Sequence, residues 1–410
     1  MKDINTLIDA RALPLPRADS GRHASLGRSC RLGLLAFLIT VACYPTVSAQ
    51  SPKVAGKWKV VASPNGGTQA AGNALLATIA LSPTDAWAVG AEPNPSQYLT
   101  ATLAEHWNGK KWSIVQTPAI SAPTVQLNSI SAVGSSDIWA AGYAEDPSCF
   151  CSQTVVERWD GTSWTRITSP NPGIADFLYG ITALSSTDVW AAGYEWTSQS
   201  TYFPFLMHYD GHSWSTFDES QFQMGQLSSV FALATNDVWA VGWFGPLAAT
   251  QGLALHWDGE SWTQVAFPSE QGGGIVLQSV SGAATNDFWA VGVYQYINLW
   301  GSVSNSARGF HWNDSTWKQK QPALSGESYF SDVMARATND VWLVGEGIVN
   351  IQTGQEMFVT LHWNGSQWSN VTNPDKGTLN AVSASSGSDA WAVGVSITKP
   401  GTYTMHYVAP

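Results

Sequence analysis

Histidine recurs at a fixed position along this chain and is the first candidate for chemistry. Six of the eight histidines lie at equivalent places in a repeated segment, with Arg158 at the seventh: His106, His208, His256, His311, His362 and His406. Zinc needs three or four ligands at about 2.0–2.3 Å around one point. Because each histidine belongs to a different repeat, we expect them not to converge. The sequence predicts packed or turn-bonded imidazoles and no metal site.

Aspartate recurs with the same regularity. An Asp-x-Trp-(Ala/Leu)-x-Gly segment occurs seven times, beginning at Asp85, Asp137, Asp188, Asp237, Asp287, Asp340 and Asp389. Each aspartate follows a short polar stretch typical of a tight turn, where its carboxylate can accept backbone N–H bonds. Acid–base catalysis needs a partner group and a perturbed environment. We therefore expect these aspartates to hold turns, and no catalytic residue is assigned.

The other charged residues do not form a recognisable catalytic site in the sequence. Beyond residue 49 the chain has four arginines, Arg158, Arg166, Arg308 and Arg336, which do not form the cluster of three that a sialidase-type site needs. Acidic pairs do occur, at 145–146 and 218–219, but a glycosidase needs two carboxyls about 5–9 Å apart across a cleft. A polysaccharide hydrolase or lyase is the least favoured alternative. No cofactor is predicted.

The spacing of the Asp-x-Trp segments predicts the secondary structure around these residues. The seven Asp-x-Trp segments are spaced by 49 to 53 residues, without a helical pattern, which indicates propeller blades. Each repeat reads as four short strands rich in Val, Ile, Trp and Ala, bounded by Gly, Asp, Asn and Pro. These strands are apolar on both faces, which suits a sheet between two others. Tryptophans on strands two, three and four should stack between neighbouring blades and form the core.

The two ends of the repeat array complement each other. "GKWKVVASP" around Trp58 matches only a fourth strand, and "YTMHYVAP" at the other end stops at a third strand. The sequence therefore predicts an all-β fold, a seven-bladed β-propeller with four-stranded blades. Its ring closes where the N-terminal strand completes the last blade. Residues 50–410 form this single domain.

The repeat resembles those of kelch-like propellers. The resemblance rests on the Gly that ends strand two, the aromatic and Asp/Asn-Gly that end strand three, and the Trp that opens strand four. One Gly replaces the usual kelch pair. "WDGTSW" at 159–164 is also similar to Asp-box turns, and "LNSISAVGSSDIWAAG" is similar to tectonin-type lectin repeats. Such likeness implies the fold and leaves the function to the site.

Three tryptophans lie outside the repeated positions, Trp196, Trp243 and Trp300. All three fall between strands two and three of blades three to five, where we expect variable loops on one face. The predicted ligand-binding set adds their aromatic neighbours: Tyr194, Tyr202, Phe244, Tyr294 and Tyr296. Aromatic faces beside amides and hydroxyls suit sugar rings, and they also suit a protein hot spot. Loop packing is the alternative role for these rings.

The function predicted from these loops is binding. We expect a tryptophan-rich, monomeric binding module that recognises a glycan or cell-wall polysaccharide. The alternative is a scaffold for an extracellular protein. Beyond residue 49 the chain has 13 basic and 27 acidic residues, a net charge of −14, which argues against nucleic acid or anionic lipid as a partner.

Residues 1–49 have the pattern of a secretion signal. Basic residues precede the apolar run "LGLLAFLITVAC", and "VSA" at 47–49 supplies small residues for cleavage after Ala49. A lipid anchor through Cys43 is a minor alternative. We therefore expect a secreted protein without a transmembrane segment after cleavage. In an oxidising compartment Cys149 and Cys151 form either a small loop disulfide or two free thiols.

Overall fold

A computed structural model describes most of the chain beyond residue 55. The described residues are 56–67, 72–94, 99–146, 149, 151–197, 201–218, 221–246, 249–297, 302–321, 324, 326–350 and 355–409. All regular elements among them are strands. Residues 1–49, with the predicted signal and Cys43, lie outside this part, and so does Trp300. The described residues contain no helix long and apolar enough to span a bilayer.

The strands fall into the seven sequence repeats, four to a repeat. They are β1 (Lys57–Val61), β2 (Ala74–Ser82), β3 (Asp85–Asn94), β4 (Leu99–Trp107), β5 (Trp112–Ile114), β6 (Thr124–Gly134), β7 (Asp137–Asp146), β8 (Cys151–Trp159), β9 (Trp164–Ile167), β10 (Ala175–Ser185), β11 (Asp188–Trp196), β12 (Tyr202–Tyr209), β13 (Trp214–Thr216), β14 (Gly225–Ala234), β15 (Asp237–Phe244), β16 (Gln251–Trp257), β17 (Trp262–Gln264), β18 (Gly273–Ala284), β19 (Asp287–Ile297), β20 (Val303–Trp312), β21 (Trp317–Gln319), β22 (Ser328–Ala337), β23 (Asp340–Asn350), β24 (Gln355–Trp363), β25 (Trp368–Asn370), β26 (Gly377–Ser386), β27 (Asp389–Ser396) and β28 (Thr402–Val408).

Each repeat forms an antiparallel four-stranded meander. Repeat 1 is β2–β5, repeat 2 is β6–β9, and so on to repeat 6, β22–β25. Repeats 2 and 3 join into one eight-stranded sheet through a single parallel bridge between Ala175 and Ser152. Repeat 7 has β26–β28, and its fourth strand is β1, which pairs with β28 so that Trp58 lies opposite Tyr407. The N-terminal strand is therefore part of the same sheet as the C-terminal strand.

Tight turns between the third and fourth strands follow from Asp/Asn-Gly dipeptides. In repeat 2, Asp160 Oδ1 accepts the backbone N–H groups of Thr162 and Ser163 at 2.8 and 2.9 Å. Gly161 follows with φ 94°, a left-handed conformation that costs glycine little. Repeat 6 keeps this pattern, whereas repeat 5 has Asp314 in the glycine position with φ 76°. The turn geometry is thus retained where the glycine is lost.

The core consists of indole rings that meet between repeats. The second-strand tryptophan of each repeat is at most 2% exposed. It lies edge-on to the fourth-strand tryptophan of the next repeat, with centroids 4.9–6.4 Å apart. The pairs are Trp87–Trp164, Trp139–Trp214, Trp190–Trp262, Trp239–Trp317, Trp289–Trp368, Trp342–Trp58 and Trp391–Trp112. The predicted core position is correct, but these pairs are edge-on and not stacked, an arrangement that the ring quadrupole favours.

Polar side chains of the first strands form hydrogen bonds to the first strands of neighbouring repeats. Ser129 Oγ accepts the backbone N–H of Ile181 at 3.1 Å, from repeat 2 to repeat 3. A first-strand serine also joins the last repeat to the first, where Ser383 Oγ accepts the N–H of Ala80 at 3.0 Å. These bonds satisfy backbone groups that face a neighbouring sheet. The first strands are therefore fixed relative to one another.

Candidate functional site

Each of the repeated histidines bonds to a side chain of its own repeat. Each imidazole Nε2 lies 2.6–2.9 Å from a carboxylate oxygen of the motif aspartate on the second strand, and Arg158 bonds Asp137 in the same way. Each imidazole also lies against the second-strand indole, as His406 does on Trp391 with centroids 4.2 Å apart. The described histidines do not form a cluster of metal ligands. The expectation that the motif aspartates bond turn amides is corrected, because their partners are side chains: the third-strand histidine or Arg158 in each repeat, with a further donor at some positions, such as Ser135 at Asp85 and Arg336 at Asp340.

The described arginines also have partners within the fold. Arg308 forms a two-point ion pair with Glu270, and Arg336 pairs with Asp340. Arg166 donates to the carbonyl oxygen of Thr154 at 3.4 Å. These arginines therefore stabilise strands and turns. Cys149 and Cys151 are joined in a disulfide between β7 and β8, the first of the two alternatives left open by the sequence.

The predicted site residues that the structure describes, all but Trp300, lie on strands rather than in loops. Tyr194 and Trp196 belong to β11, and Tyr202 opens β12 opposite Trp196. Trp243 and Phe244 end β15, where they pair with Gly252 and Gln251. Trp243 is also not unique in position, since Tyr143 and Tyr194 follow the corresponding glycines.

Three of the predicted rings meet across two repeats. Tyr202 lies edge-on to Trp243 of repeat 4, with centroids 6.0 Å apart. It also lies edge-on to Tyr194 at 6.1 Å. Trp196 packs against a cluster formed by Tyr143 and Phe177. The structure thus brings together four of the eight predicted residues.

Sequence reasoning missed the rings that continue this group into repeat 2. Phe177 stacks on Tyr194 at 4.7 Å, Tyr179 stacks on Tyr194 at 5.9 Å, and Tyr143 meets Phe177 edge-on at 4.9 Å. The position of Tyr143 directly after a motif glycine was the available signal. We call the whole group the aromatic band: Tyr143, Phe177, Tyr179, Tyr194, Trp196, Tyr202 and Trp243.

The hydroxyl groups of the aromatic band remain protonated near neutral pH. Burial raises the pKa of Tyr143, Tyr179, Tyr194 and Tyr202 above the ordinary tyrosine value. The negative charge of Glu145 raises the first three further. Neutral phenols beside indole faces offer hydrogen-bond donors and apolar surface. This chemistry suits binding, because the hydroxyls are poor bases and poor nucleophiles at that pH.

Exposure separates the members that can reach a ligand. Trp196, Tyr202, Trp243, Tyr179 and Tyr194 are half-buried, whereas Tyr143 and Phe177 are buried. Phe244 is also buried and belongs to the core cluster between repeats 3 and 4. The band therefore presents two indoles and three phenols over a base of two buried rings.

The rings predicted on repeat 5 form a separate pair. Tyr294 stacks on Tyr296 at 5.6 Å, and the Arg308 guanidinium lies 4.9 Å from the Tyr294 ring centre. Tyr294 donates its hydroxyl proton to the carbonyl oxygen of Gln271 at 2.8 Å, while Tyr296 is exposed. Within the described residues no ring contact joins this pair to the aromatic band. Tyr294 thus has structural partners, and Tyr296 is the solvent-facing member.

Solved structures with the same arrangement of sheets identify the architecture. A structure of YCF48 bound to D1 peptide is 15% identical, with a TM-score of 0.55, and the match covers 86% of this chain and 97% of that one. YCF48 from Cyanidioschyzon merolae is 16% identical, with a TM-score of 0.51, covering 86% and 98%. The GH74 xyloglucanase from Xanthomonas campestris is 12% identical, with a TM-score of 0.51, covering 82% of this chain and 53% of that chain.

The chain folds as a β-propeller. The identities are too low to carry more than the fold from these proteins to this one. No protein-family model matches the chain, and no curated protein matches its sequence. The function of this propeller therefore has to be argued from its own side chains.

Proposed function

We propose that this propeller is a binding module that recognises carbohydrate through the exposed part of the aromatic band. The observation that carries the proposal is the edge-on contact of Tyr202 with Trp243, which joins rings of two repeats into one surface. A sugar ring offers an apolar C–H face to an indole and hydroxyl edges to phenols and amides. Rings held on rigid strands lose little conformational entropy when they bind.

The proposal includes a closed ring of seven kelch-like blades over residues 50–410. It is supported by the edge-on tryptophan pairs, which run from each repeat to the next and return from Trp391 to Trp112. Two hydrogen bonds support the same closure: the backbone N–H of Ala80 donates to Ser383 Oγ, and Asn380 Nδ2 donates to the carbonyl oxygen of Leu75. We further propose export of a monomer by the signal at 1–49, with a lipid anchor at Cys43 as the minor alternative.

A protein partner is the second candidate ligand. Ile174, Met224 and Val303 are exposed and lie at the same strand ends as the aromatic band, since antiparallel order places the start of strands one and three beside the end of strand two. Apolar side chains around aromatic rings are typical of protein interfaces. One of the similar propellers is solved with a peptide bound.

A glycan array and polysaccharide pull-down test the proposal. We expect wild type to bind a defined glycan and Tyr202→Ala/Trp243→Ala to lose that binding. Val133→Ala changes an exposed apolar residue at the opposite strand ends and should bind as wild type does. An array without a ligand for wild type, or unchanged binding by the double variant, contradicts carbohydrate recognition. Release of reducing sugar from the bound polysaccharide would favour the hydrolase alternative instead.

A further inference from the structure

A cleft on repeat 3 lies apart from the aromatic band. It has a volume of about 340 Å³ and is lined by two carboxylates, two threonines and an apolar wall: Glu195, Asp218, Thr197, Thr216, Pro172, Phe203, Phe205 and Phe217. Glu195 pairs with Phe203 across β11 and β12. Because side chains alternate along a strand, both point away from the sheet face that carries Tyr194 and Trp196. The cleft is therefore a separate surface.

The carboxylate of Glu195 lacks a partner in the described chain. None of the described residues donates a hydrogen bond or an ion pair to it. Burial raises its pKa above the ordinary glutamate value. A half-buried carboxylate without a donor is an unfavourable arrangement in an empty cleft. It is the arrangement expected of a group that receives its donor from a ligand.

A second carboxylate lies directly beside Glu195. Asp176 on β10 is opposite Glu195 in register, so the two side chains share one face of the sheet. Asp176 is fully buried. Its Oδ1 accepts the N–H of Gly173 at 3.1 Å, whereas its Oδ2 has no hydrogen-bond partner. A buried carboxylate oxygen without a partner is rare in proteins and calls for a donor.

The electrostatics of the pair agree with this geometry. Burial raises the pKa of Asp176 to about 6, the N–H of Gly173 lowers it, and the charge of Glu195 raises it again. Two carboxylates that repel each other in a poorly solvated place attract a cation strongly. The net charge of the chain, −11, favours a positive ligand as well.

The wall of the cleft determines what kind of cation fits. Phe203 is half-buried and is the ring that a ligand can contact most directly, whereas Phe205 is fully buried and Phe217 stacks on Trp190, so that these two rings form the apolar base behind it. A bare metal ion would leave these rings unused and would need more oxygen ligands than the cleft provides. An ammonium group on an apolar stem uses both parts, because aromatic faces attract cations and also pack against methylene groups.

We propose that the cleft binds an alkylammonium group, with the cation at Glu195 and Asp218 and the apolar stem along the phenylalanine wall. Asp176 supplies charge from beneath Glu195. The group comes either from a small free amine or from a lysine side chain of a partner. This inference goes beyond the proposed function, since the cleft lies on the opposite face of the sheet from the aromatic band.

Calorimetric titration of the full-length chain tests the inference. The probes are cadaverine, the neutral 1-pentanol, and an acetylated Gly-Lys-Gly amide. We expect cadaverine to bind and 1-pentanol not to bind. Glu195→Gln should weaken cadaverine binding by about tenfold or more, since it removes the nearest charge. The matched control Glu260→Gln, an exposed carboxylate on the β16–β17 turn, should bind cadaverine as wild type does.

Each outcome decides the matter. Failure of both cadaverine and the lysine peptide to bind, equal binding by Glu195→Gln, or an equal loss in Glu260→Gln overturns the proposal. Asp218→Asn is the second variant, because Asp218 lies outside the sheets and its substitution leaves the strand that carries Glu195 unchanged. Circular dichroism reports whether either variant has lost its fold. Stronger binding of the lysine peptide than of cadaverine assigns the group to a partner chain. The reverse order assigns it to a free amine.

Discussion

At the scale of single residues, the molecule repeats one polar–aromatic unit. A motif aspartate bonds the imidazole of its own repeat, and that imidazole lies on the second-strand indole, as in Asp237, His256 and Trp239. The carboxylate orients the ring, and the ring covers one face of the indole. Arg158 performs the same role over Trp139 at 4.8 Å, because a guanidinium is planar, as an imidazole is, and its charge is attracted to the face of the indole. Residues that resemble catalytic groups in the sequence are thus framework groups.

Trp239 and Trp243 differ in burial, and this predicts different effects of substitution. Trp239 is 2% exposed and contacts Trp312 and Trp317 of the next repeat. Trp239→Ala should lower the free energy of unfolding by about 3–5 kcal/mol, the usual cost of removing a buried large ring. Trp243→Ala should cost no more than about 1–2 kcal/mol, since its ring is half-buried.

Urea denaturation followed by circular dichroism measures both values. Glycan binding by the two variants is compared under conditions where both are folded. Equal destabilisation would place Trp243 in the core and remove it from the proposed surface.

At the scale of elements, two third strands carry a carboxyl group where the others carry an apolar side chain. The residue before the repeated histidine is Met, Leu or Phe in repeats 3 to 7, but it is Glu105 in β4 and Glu157 in β8. Both are fully buried. Burial raises the pKa of each to about 8. The Ser63 hydroxyl lowers that of Glu105, and Arg166 and then Thr102 lower that of Glu157. These strands therefore fold with protonated glutamates below that pH.

These two glutamates predict a loss of stability as pH rises. A folded-state pKa above the unfolded value means that the folded chain binds more protons, so the stabilisation is complete below about pH 4.5 and lost through about pH 8. Glu157→Gln should abolish up to about 1.4 kcal/mol per pH unit of this dependence between pH 5 and 8. The variant should then be more stable than wild type at pH 9.

Denaturation midpoints of wild type and Glu157→Gln at several pH values measure the difference. Glu260→Gln, on an exposed turn, should follow the wild-type profile. Parallel profiles for Glu157→Gln and wild type would mean that Glu157 is ionised in the fold.

At the scale of the whole molecule, the N-terminal strand joins the two ends of the described chain in one sheet. β1 pairs with β28, and Trp58 lies edge-on to Trp342 of repeat 6 at 5.4 Å. Contacts across this position join residues more than 280 positions apart in the chain. Joining distant segments costs loop entropy, which the buried ring of Trp58 offsets. The stability of every sheet should then depend on the first strand.

The proposed closure predicts equal importance for equivalent tryptophans. Trp58→Ala should lower the free energy of unfolding as much as Trp112→Ala, about 3–5 kcal/mol each. The reason is that each ring packs edge-on against a second-strand indole of the preceding repeat. Thermal unfolding measures both. If Trp58→Ala unfolds like wild type while Trp112→Ala is destabilised, β1 does not hold the propeller closed.

Sequence alone was sufficient for the framework. The period of the Asp-x-Trp segments gives the four-stranded repeats, the complementary ends predict the pairing of Trp58 with the last repeat, and the scatter of the histidines predicts that they do not converge. These features depend on a local sequence pattern that occurs in every repeat.

Only the tertiary structure decided which side chains meet in the aromatic band and in the cleft. The aromatic band joins Tyr143, Tyr194 and Trp243 of different repeats. Each of them follows the motif glycine of its own repeat, but that local pattern does not state that the rings meet across repeats. The pairing of Asp176 with Glu195 depends on a bulge at Tyr179, which shifts the register of β10 by one residue. A shift of one residue moves side chains to the other face of a sheet. Whether a carboxylate meets a cleft or the core is therefore set by strand register, which the order of residues alone leaves undetermined.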